Sequence, residues 1–491
     1  MSALPSLIPV TQKAPNVCGY CRARKQACDR TVPSCLRCAA KGFSCDYSPS
    51  PPVPSTTSEP LILRSQSGAP LLSCLGAWKL VHYVTTSLKA SSDINASSKL
   101  SDYVVDILKL ADINLTSIVE DYGRSIRHWS PTVYDCTLDQ GTEVILTRYP
   151  ALALSVWLVT QNIRKHAEHP SDCQLYRVLK QVLALLQTKH DADIEALQLG
   201  LSIAVYEVGH GMGTQAFQTI LSCKAILTIL EHGATAIDDI STLETTEWLK
   251  ASLIMLDRIL FVTSPSPSFT LTIPPSDPIC NVEFTQYHPP IMPTHVPSPC
   301  TKVHFRTVVA LGTGKALDYV NARRRTTQPY ESYDAVDMQT SGYIRMLMED
   351  MRPSSWVHCD AIGLGFCSHL LLQEAQVLYL AGLPYSDELR KHIEKANLAL
   401  RYARRMAWDM VKVSLGKLEN EDDVAKLPFA ALCCILRAGI AVLETSRICD
   451  EQLVSNEEFA MLQRCMRWFS ARWHVGVHLE ARLEQFINSH T

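Results

Sequence analysis

Read for the spacing of its apolar and polar positions, the chain changes character along its length. Residues 48–60 (SPSPPVPSTTSEP) show no apolar period and are mostly prolines, serines and threonines, a composition that stays extended and marks a boundary. From about residue 71 onward, apolar residues return every three or four positions, as in helices that bury one face. The first such stretches are EVILTRYPALALSVWLVTQNIRKHAEHP (143–170), QLYRVLKQVLALLQ (174–187), IEALQLGLSIAVYEVGH (194–210) and TQAFQTILSCKAILTILEHG (214–233). ETTEWLKASLIMLDRILFV (244–262), VHFRTVVALGTGKALDYVNARRR (303–325), GFCSHLLLQEAQVLYLAG (365–382) and SDELRKHIEKANLALRYARRMAWDMVKV (386–413) follow. Residues 455–487 close the series, with Ser455 or Asn456 ahead of Glu457 and Glu458 as an N-terminal cap. Stops fall at His-Pro or Gly, and strand-like alternation is scarce. The body reads as all-α.

Composition sets limits on this picture. A chain of 491 residues predicts more than one folding unit, and 47% hydrophobic against 19% charged residues excludes wholesale disorder. Charged residues or prolines interrupt the apolar stretches before the roughly 18 residues a spanning helix needs, so no membrane association is expected. The opening MSALPSLIPVTQKAP lacks the basic start and apolar run of a secretory signal. The 18 cysteines are therefore expected as thiols or metal ligands rather than disulfides. The net charge of −3 divides unevenly. Residues 11–47 hold seven basic residues (Lys13, Arg22, Arg24, Lys25, Arg30, Arg37, Lys41) and two acidic ones (Asp29, Asp46), or +5, which leaves −8 for the rest. A small basic head on an acidic body points to a polyanion as the partner of the head.

Six cysteines in that head form an internal repeat: Cys18-x2-Cys21-x6-Cys28, then Cys35-x2-Cys38-x6-Cys45, each displaced by 17 residues. Given the chain's cysteine content, four such coincidences arise by chance on the order of two times in a million. A structural zinc takes four thiolates in a tetrahedron, so six sulfurs overfill one ion. Two ions require eight sulfur contacts, and two cysteines must bridge. Because the half-sites are equivalent, the bridges must be equivalent as well, and the natural choice is the leading cysteine of each half, Cys18 and Cys35. One ion then takes Cys18, Cys21, Cys28 and Cys35, and the other Cys18, Cys35, Cys38 and Cys45. So short a segment folds on metal binding rather than on apolar burial. Helix-compatible stretches follow each Cys-x2-Cys (RARKQA and AAKG), Gly42 is placed to end the second, and Pro33 sits in the DRTVPS loop between the halves.

This arrangement resembles the fungal zinc binuclear cluster (Zn2Cys6) family of transcription factors, through the six cysteines, CRARKQACD, Pro33 and KGFSCDY. The resemblance implies a nuclear, zinc-dependent regulator of RNA polymerase II genes that binds double-stranded DNA with its first helix in the major groove at a CGG triplet. Its base-contact positions correspond to Arg24 and Lys25, with Arg22 and Arg37 near phosphates; Arg and Lys are the side chains that read guanine edges. The sequence departs from the family at Ala27, often Lys or Arg there and here preceded by uncharged Gln26, which leaves one contact missing. Many members dimerise through heptads after the linker, but residues 61–130 sustain no a/d register over three heptads. A monomer and a homodimer made through the large domain both fit. Trp248–Pro278, with its LDR triplet and LTIPPSDP, resembles the middle homology region found behind many such clusters. That implies an all-helical regulatory domain answering to the transcription machinery or to a small-molecule effector.

Other features read as structure. GTGK (312–315) lacks the first glycine and final Ser/Thr of a phosphate loop and lies within a helical stretch. VGHGMG (208–213) follows a helix and reads as its terminator. His474 and His478 have i, i+4 spacing but no acidic third ligand, Asp257–Arg258 reads as an ion pair before an effector site, and Arg323–Arg325 as helix-end charges before an import signal. The twelve remaining cysteines lack Cys-x2-Cys spacing and read as small hydrophobes, with Cys433 and Cys434 the weak candidates for redox sensing. The expected organisation is a disordered 1–14, a Zn2Cys6 DNA-binding domain at 15–47, a Pro/Ser-rich linker at 48–70 and an all-α regulatory domain at 71–491. The competing reading is an all-α ligand-sensing protein or enzyme whose zinc head does not bind DNA specifically.

Overall fold

A computed structural model of the chain describes residues 13–23, 26–47, 104–109, 112–126, 150–161, 170–187, 194–233, 240–264, 269–280, 299–349 and 359–488. The chain divides into two compact units, one within residues 1–62 and one after it, and each is described by itself. The expected linker and the segment searched for heptads up to residue 103 lie outside the described residues.

The first unit has two short helices, α1 (Gly19–Ala23) and α2 (Leu36–Ala39). Its ends are tied by backbone: Ala14 N–H donates to Arg30 O at 2.8 Å, and Gly19 N–H to Asp46 O at 2.8 Å. The Tyr47 hydroxyl donates to Thr31 O at 2.6 Å. Apart from Ala14, the buried side chains among the described residues here are Cys18, Cys21, Cys35 and Cys38. The core of this unit is sulfur.

The second unit is helical, with no strand among its described residues. It runs through α3 (Leu115–Ser125), α4 (Pro150–Thr160), α5 (Gln174–Leu186), α6 (Ile194–Gly209), α7 (Gly213–Gly233), α8 (Ile240–Thr263) and α9 (Pro299–Arg324). Then come α10 (Tyr333–Glu349), α11 (Cys359–Ala381), α12 (Asp387–Leu415), α13 (Glu421–Lys426), α14 (Phe429–Glu444), α15 (Ser446–Cys449), α16 (Asn456–Arg472) and α17 (Val475–Asn488). Two helices are hubs. α6 is covered by α4, α5, α7 and α8, while α11 is covered by α9, α10, α12 and α14; α8 joins the groups by packing on α9 and α14. A helix covered on all sides has no polar face. Every residue of α6 from Ala196 to Gly209 is buried, as is every residue of α14 from Phe429 to Leu443.

α10 and α14 lie outside the stretches named from periodicity, and the closing stretch is two helices broken at Trp473–His474. Ser455 caps α16 in a box with Glu458, and Asn420 caps α13 in the same way with Asp423, which accounts for the acidic run NEDD. Gly211, at φ 71°, takes the chain out of α6.

The Asp257–Arg258 pair is buried at the join between the hubs. Arg258 Nη1 donates to Asp257 at 2.5 Å and to Ile273 O at 2.6 Å, and Nε donates to Ala310 O at 3.1 Å. Asp257 accepts the Thr272 N–H at 2.8 Å as well as the Thr272 hydroxyl. Gly314 of the GTGK sequence makes room for the guanidinium, since a Cβ there would stand 2.7 Å from Nη2. The pair binds α8, the segment 271–273 and α9 together.

Candidate metal centre and nucleic-acid interface

Each half of the cysteine repeat builds the same local turn. Cys35 precedes α2 in an extended conformation, and its Sγ accepts the Cys38 N–H at 3.4 Å as an N-cap. Cys18 precedes α1, and its sulfur takes the Cys21 amide in the same way. The leading sulfur thus starts the helix. The helices were expected after the second cysteine of each pair, but they begin straight after the first, and Gln26 and Ala27 are not helical. Gly42, at φ 71°, follows α2, and Phe43 N–H closes back on Cys38 O at 2.9 Å. Sequence reasoning passed over Asp29. Its Oδ1 accepts Leu36 N–H at 3.0 Å and its carboxylate takes the Thr31 hydroxyl, so it fixes the inter-half loop to the start of α2. An Asp in a loop before a helix is the signal that would have found it.

These turns bring all six cysteines together. Cys18, Cys21, Cys28 and Cys35 form one group, and Cys18, Cys35, Cys38 and Cys45 a second, with ligand atoms within 4.8 Å of one another in each. Cys18 and Cys35 are common to both, 4.0 Å apart. Other sulfur separations are 3.8 Å for Cys18–Cys38, Cys21–Cys35 and Cys28–Cys18, and 3.7 Å for Cys45–Cys35. A tetrahedron of sulfurs about 2.3 Å from a zinc has edges of about 3.8 Å. The donor set fits zinc in both chemistry and spacing.

The crowding has an electrostatic consequence. Burial pushes the Cys38 thiol up, and Cys18, although the Cys21 amide favours its thiolate, is raised to about 12 by burial and neighbouring sulfurs. Cys45, against its own desolvation, is lowered to about 7, chiefly by the Cys35 amide. Thiolates this close repel, and cations among them remove that repulsion.

Of the expected DNA contacts, Arg37 lies exposed in the last turn of α2. Arg22 is on α1, its side chain outside the description, and Arg24 and Lys25 lie outside the described residues. Lys13, Arg30 and Lys41 add exposed positive charge to the same unit.

The body's chemical candidates resolve into packing. Cys433 and Cys434 are fully buried, and burial raises both thiols, which removes the thiolate that redox sensing requires. Arg323 stacks its guanidinium 3.6 Å from the centre of the Tyr379 ring. The His474 and His478 rings are 6.3 Å apart, and the His474 N–H donates to His210 Nδ1 at 3.4 Å. Among the described residues, the groups of three or more side chains able to hold a metal are the two cysteine groups. No described helix is long and apolar enough to cross a membrane.

Residues 16–53 match the family model of the fungal Zn(2)-Cys(6) binuclear cluster domain. The chain carries this zinc-cluster domain ahead of a mostly helical body. The domain indicates a fungal zinc-cluster DNA-binding regulator; proteins that carry it are transcription factors rather than enzymes and are generally nuclear. No curated protein and no solved structure matches the chain.

Proposed function

We propose that the head holds two zinc ions, bridged by Cys18 and Cys35, and so aims α1 and the basic residues after it into the major groove of CGG-containing DNA. The observation that carries this reading is the sharing of Cys18 and Cys35 by two four-sulfur groups of tetrahedral spacing. When bound, the metal pair supplies charge neutralisation and a rigid cross-link. The chain's own residues do the rest. Arg24 and Lys25 read guanine O6 and N7, Arg22 and Arg37 hold phosphates, and Asp29 and Tyr47 fix the loop that joins the halves. The helical body, including the Trp248–Pro278 segment that resembles the middle homology region, receives a metabolic signal or a partner and regulates this head in the nucleus, at RNA polymerase II genes of a metabolic or biosynthetic set.

Fluorescence anisotropy of the full chain on CGG-containing and scrambled duplexes, over a salt series, tests the reading. Affinity is expected to favour CGG, to fall steeply with salt and to be lost on zinc removal. Lys25→Ala and Arg24→Ala are expected to erase the preference for CGG, while Arg37→Ala lowers affinity for both duplexes and flattens the salt slope by about one unit. Zinc-independent binding, or discrimination untouched by Arg24→Ala and Lys25→Ala, refutes it.

A further inference from the structure

The long helix α12 packs on α11 and α14, and more lightly on α15 and α16, through a face that includes Ala396, Leu400, Ala403, Ala407 and Val411. The outward face of such a helix is ordinarily polar. Here it carries Leu398, Tyr402, Met406 and Val413, each between 40% and 59% exposed. Lys391, Lys395 and Asp409 share that face and are exposed as well. The steps along it are 4, 3, 4, 4, 3 and 4 residues, an eleven-residue repeat that keeps a nearly straight line on an α-helix over about 33 Å. Apolar side chains scattered singly on a surface need no partner, but a continuous row of them does.

The order of residues on this row says what the partner is. Reversed about Tyr402, the row fits itself: position 398 falls on 406, 395 on 409 and 391 on 413. Leu398 then meets a methionine, Lys395 a carboxylate, and the Lys391 stem lies along a valine. A two-fold interface requires this self-complementarity, whereas parallel pairing would set Lys395 on Lys395 and Asp409 on Asp409. Both charges have other neighbours. Asp409 meets Lys412 at 3.1 Å, and Lys412 in turn reaches Glu458 at 3.5 Å, while Lys395 acts on the Asp337 carboxylate of α10. The Asp409 side chain nevertheless stays 72% exposed and open to a second cation. We propose that two copies of the chain associate through α12 packed antiparallel on α12, with Tyr402 on the two-fold axis, Leu398 of each against Met406 of the other, and Lys395 of each against Asp409 of the other. The contact stands independently of DNA binding by the head.

Sedimentation equilibrium of the full-length, zinc-loaded chain without DNA, over about 1–200 μM, spans the range of a weak reversible contact. A monomer–dimer equilibrium is expected. Tyr402→Lys, which sets two ammonium groups against each other on the axis, and Leu398→Glu are each expected to weaken it about tenfold or more. A charge change counts twice in a two-fold interface. Lys395→Glu or Asp409→Lys alone is therefore expected to weaken the dimer about fivefold at low salt, and the two together to restore it. All four positions are exposed, so circular dichroism and the unfolding midpoint of each variant are expected to match the parent. A chain that stays monomeric throughout the series overturns the proposal. So does a dimer that survives Tyr402→Lys and Leu398→Glu, or a Lys395→Glu defect that Asp409→Lys fails to rescue.

Discussion

If Cys18 and Cys35 each serve two ions, serine substitutions in the head must fall into two unequal classes. Cys35 Sγ lies 4.0 Å from Cys18, 3.8 Å from Cys21 and 3.7 Å from Cys45, so it borders ligands of both four-sulfur groups. Cys45 belongs to the second group alone. Cys45→Ser leaves Cys18, Cys21, Cys28 and Cys35 intact and is expected to retain one tightly bound zinc. Cys35→Ser leaves three thiolates at each position and weakens both. A structural zinc site contributes about 10–16 kcal/mol, so one of four ligands is worth about 2.5–4 kcal/mol, or some 70- to 900-fold in affinity per ion. Because the buried side chains among the described residues of the head are cysteines and Ala14, those residues supply no apolar core to hold it once metal is lost.

The assay is zinc stoichiometry of the full-length variants by elemental analysis, followed by competition against a chromogenic chelator. Cys45→Ser and Cys28→Ser are expected to retain about one ion under chelator concentrations that strip Cys18→Ser and Cys35→Ser completely. Since the ligands are thiolates, retention is also expected to fall as pH is lowered in every variant. Equal stoichiometry in the Cys35→Ser and Cys45→Ser proteins refutes the bridged arrangement, as does a Cys18→Ser protein that still carries two ions.

Two further predictions concern the body. His210 is buried between Tyr206 and Trp473, and desolvation, with Arg472 and His474 adding to it, lowers its pKa to about 3. The unfolded chain binds a proton there from about pH 6.5 downward while the folded one does not, so stability present above pH 6.5 is lost on acidification, by about 2 kcal/mol at pH 5. Urea midpoints at pH 7 and pH 5 measure this. His210→Phe is expected to remove that share of the pH dependence, and an unchanged dependence refutes the assignment. Asp257→Ala strands a buried guanidinium and the Thr272 amide and is expected to cost about 3–5 kcal/mol in the same denaturation, whereas Asp257→Leu with Arg258→Met recovers much of the loss. A single variant as stable as the parent chain would show that the pair does not tie α8 to segment 271–273.

What can be read from sequence here follows the range over which each interaction acts. A cysteine that caps its own helix and meets a partner 17 positions away leaves its mark in residue spacing, so the six residues of the cluster can be named from the chain alone. The helices expected beside them came out a turn late because the capping role of the leading sulfur is a hydrogen bond, and no periodicity records it. In the body, burial alone does not decide which helices the sequence reveals: α6 and α14 are both buried all round, yet α6 lies within a stretch of recurring apolar residues read as helical and α14 lies outside any. The glycines of GTGK illustrate the opposite error. They look like chemistry, yet Gly314 is small because Arg258, 56 positions earlier, lies against it, and Gly312 because the Tyr343 ring occupies the place of a side chain.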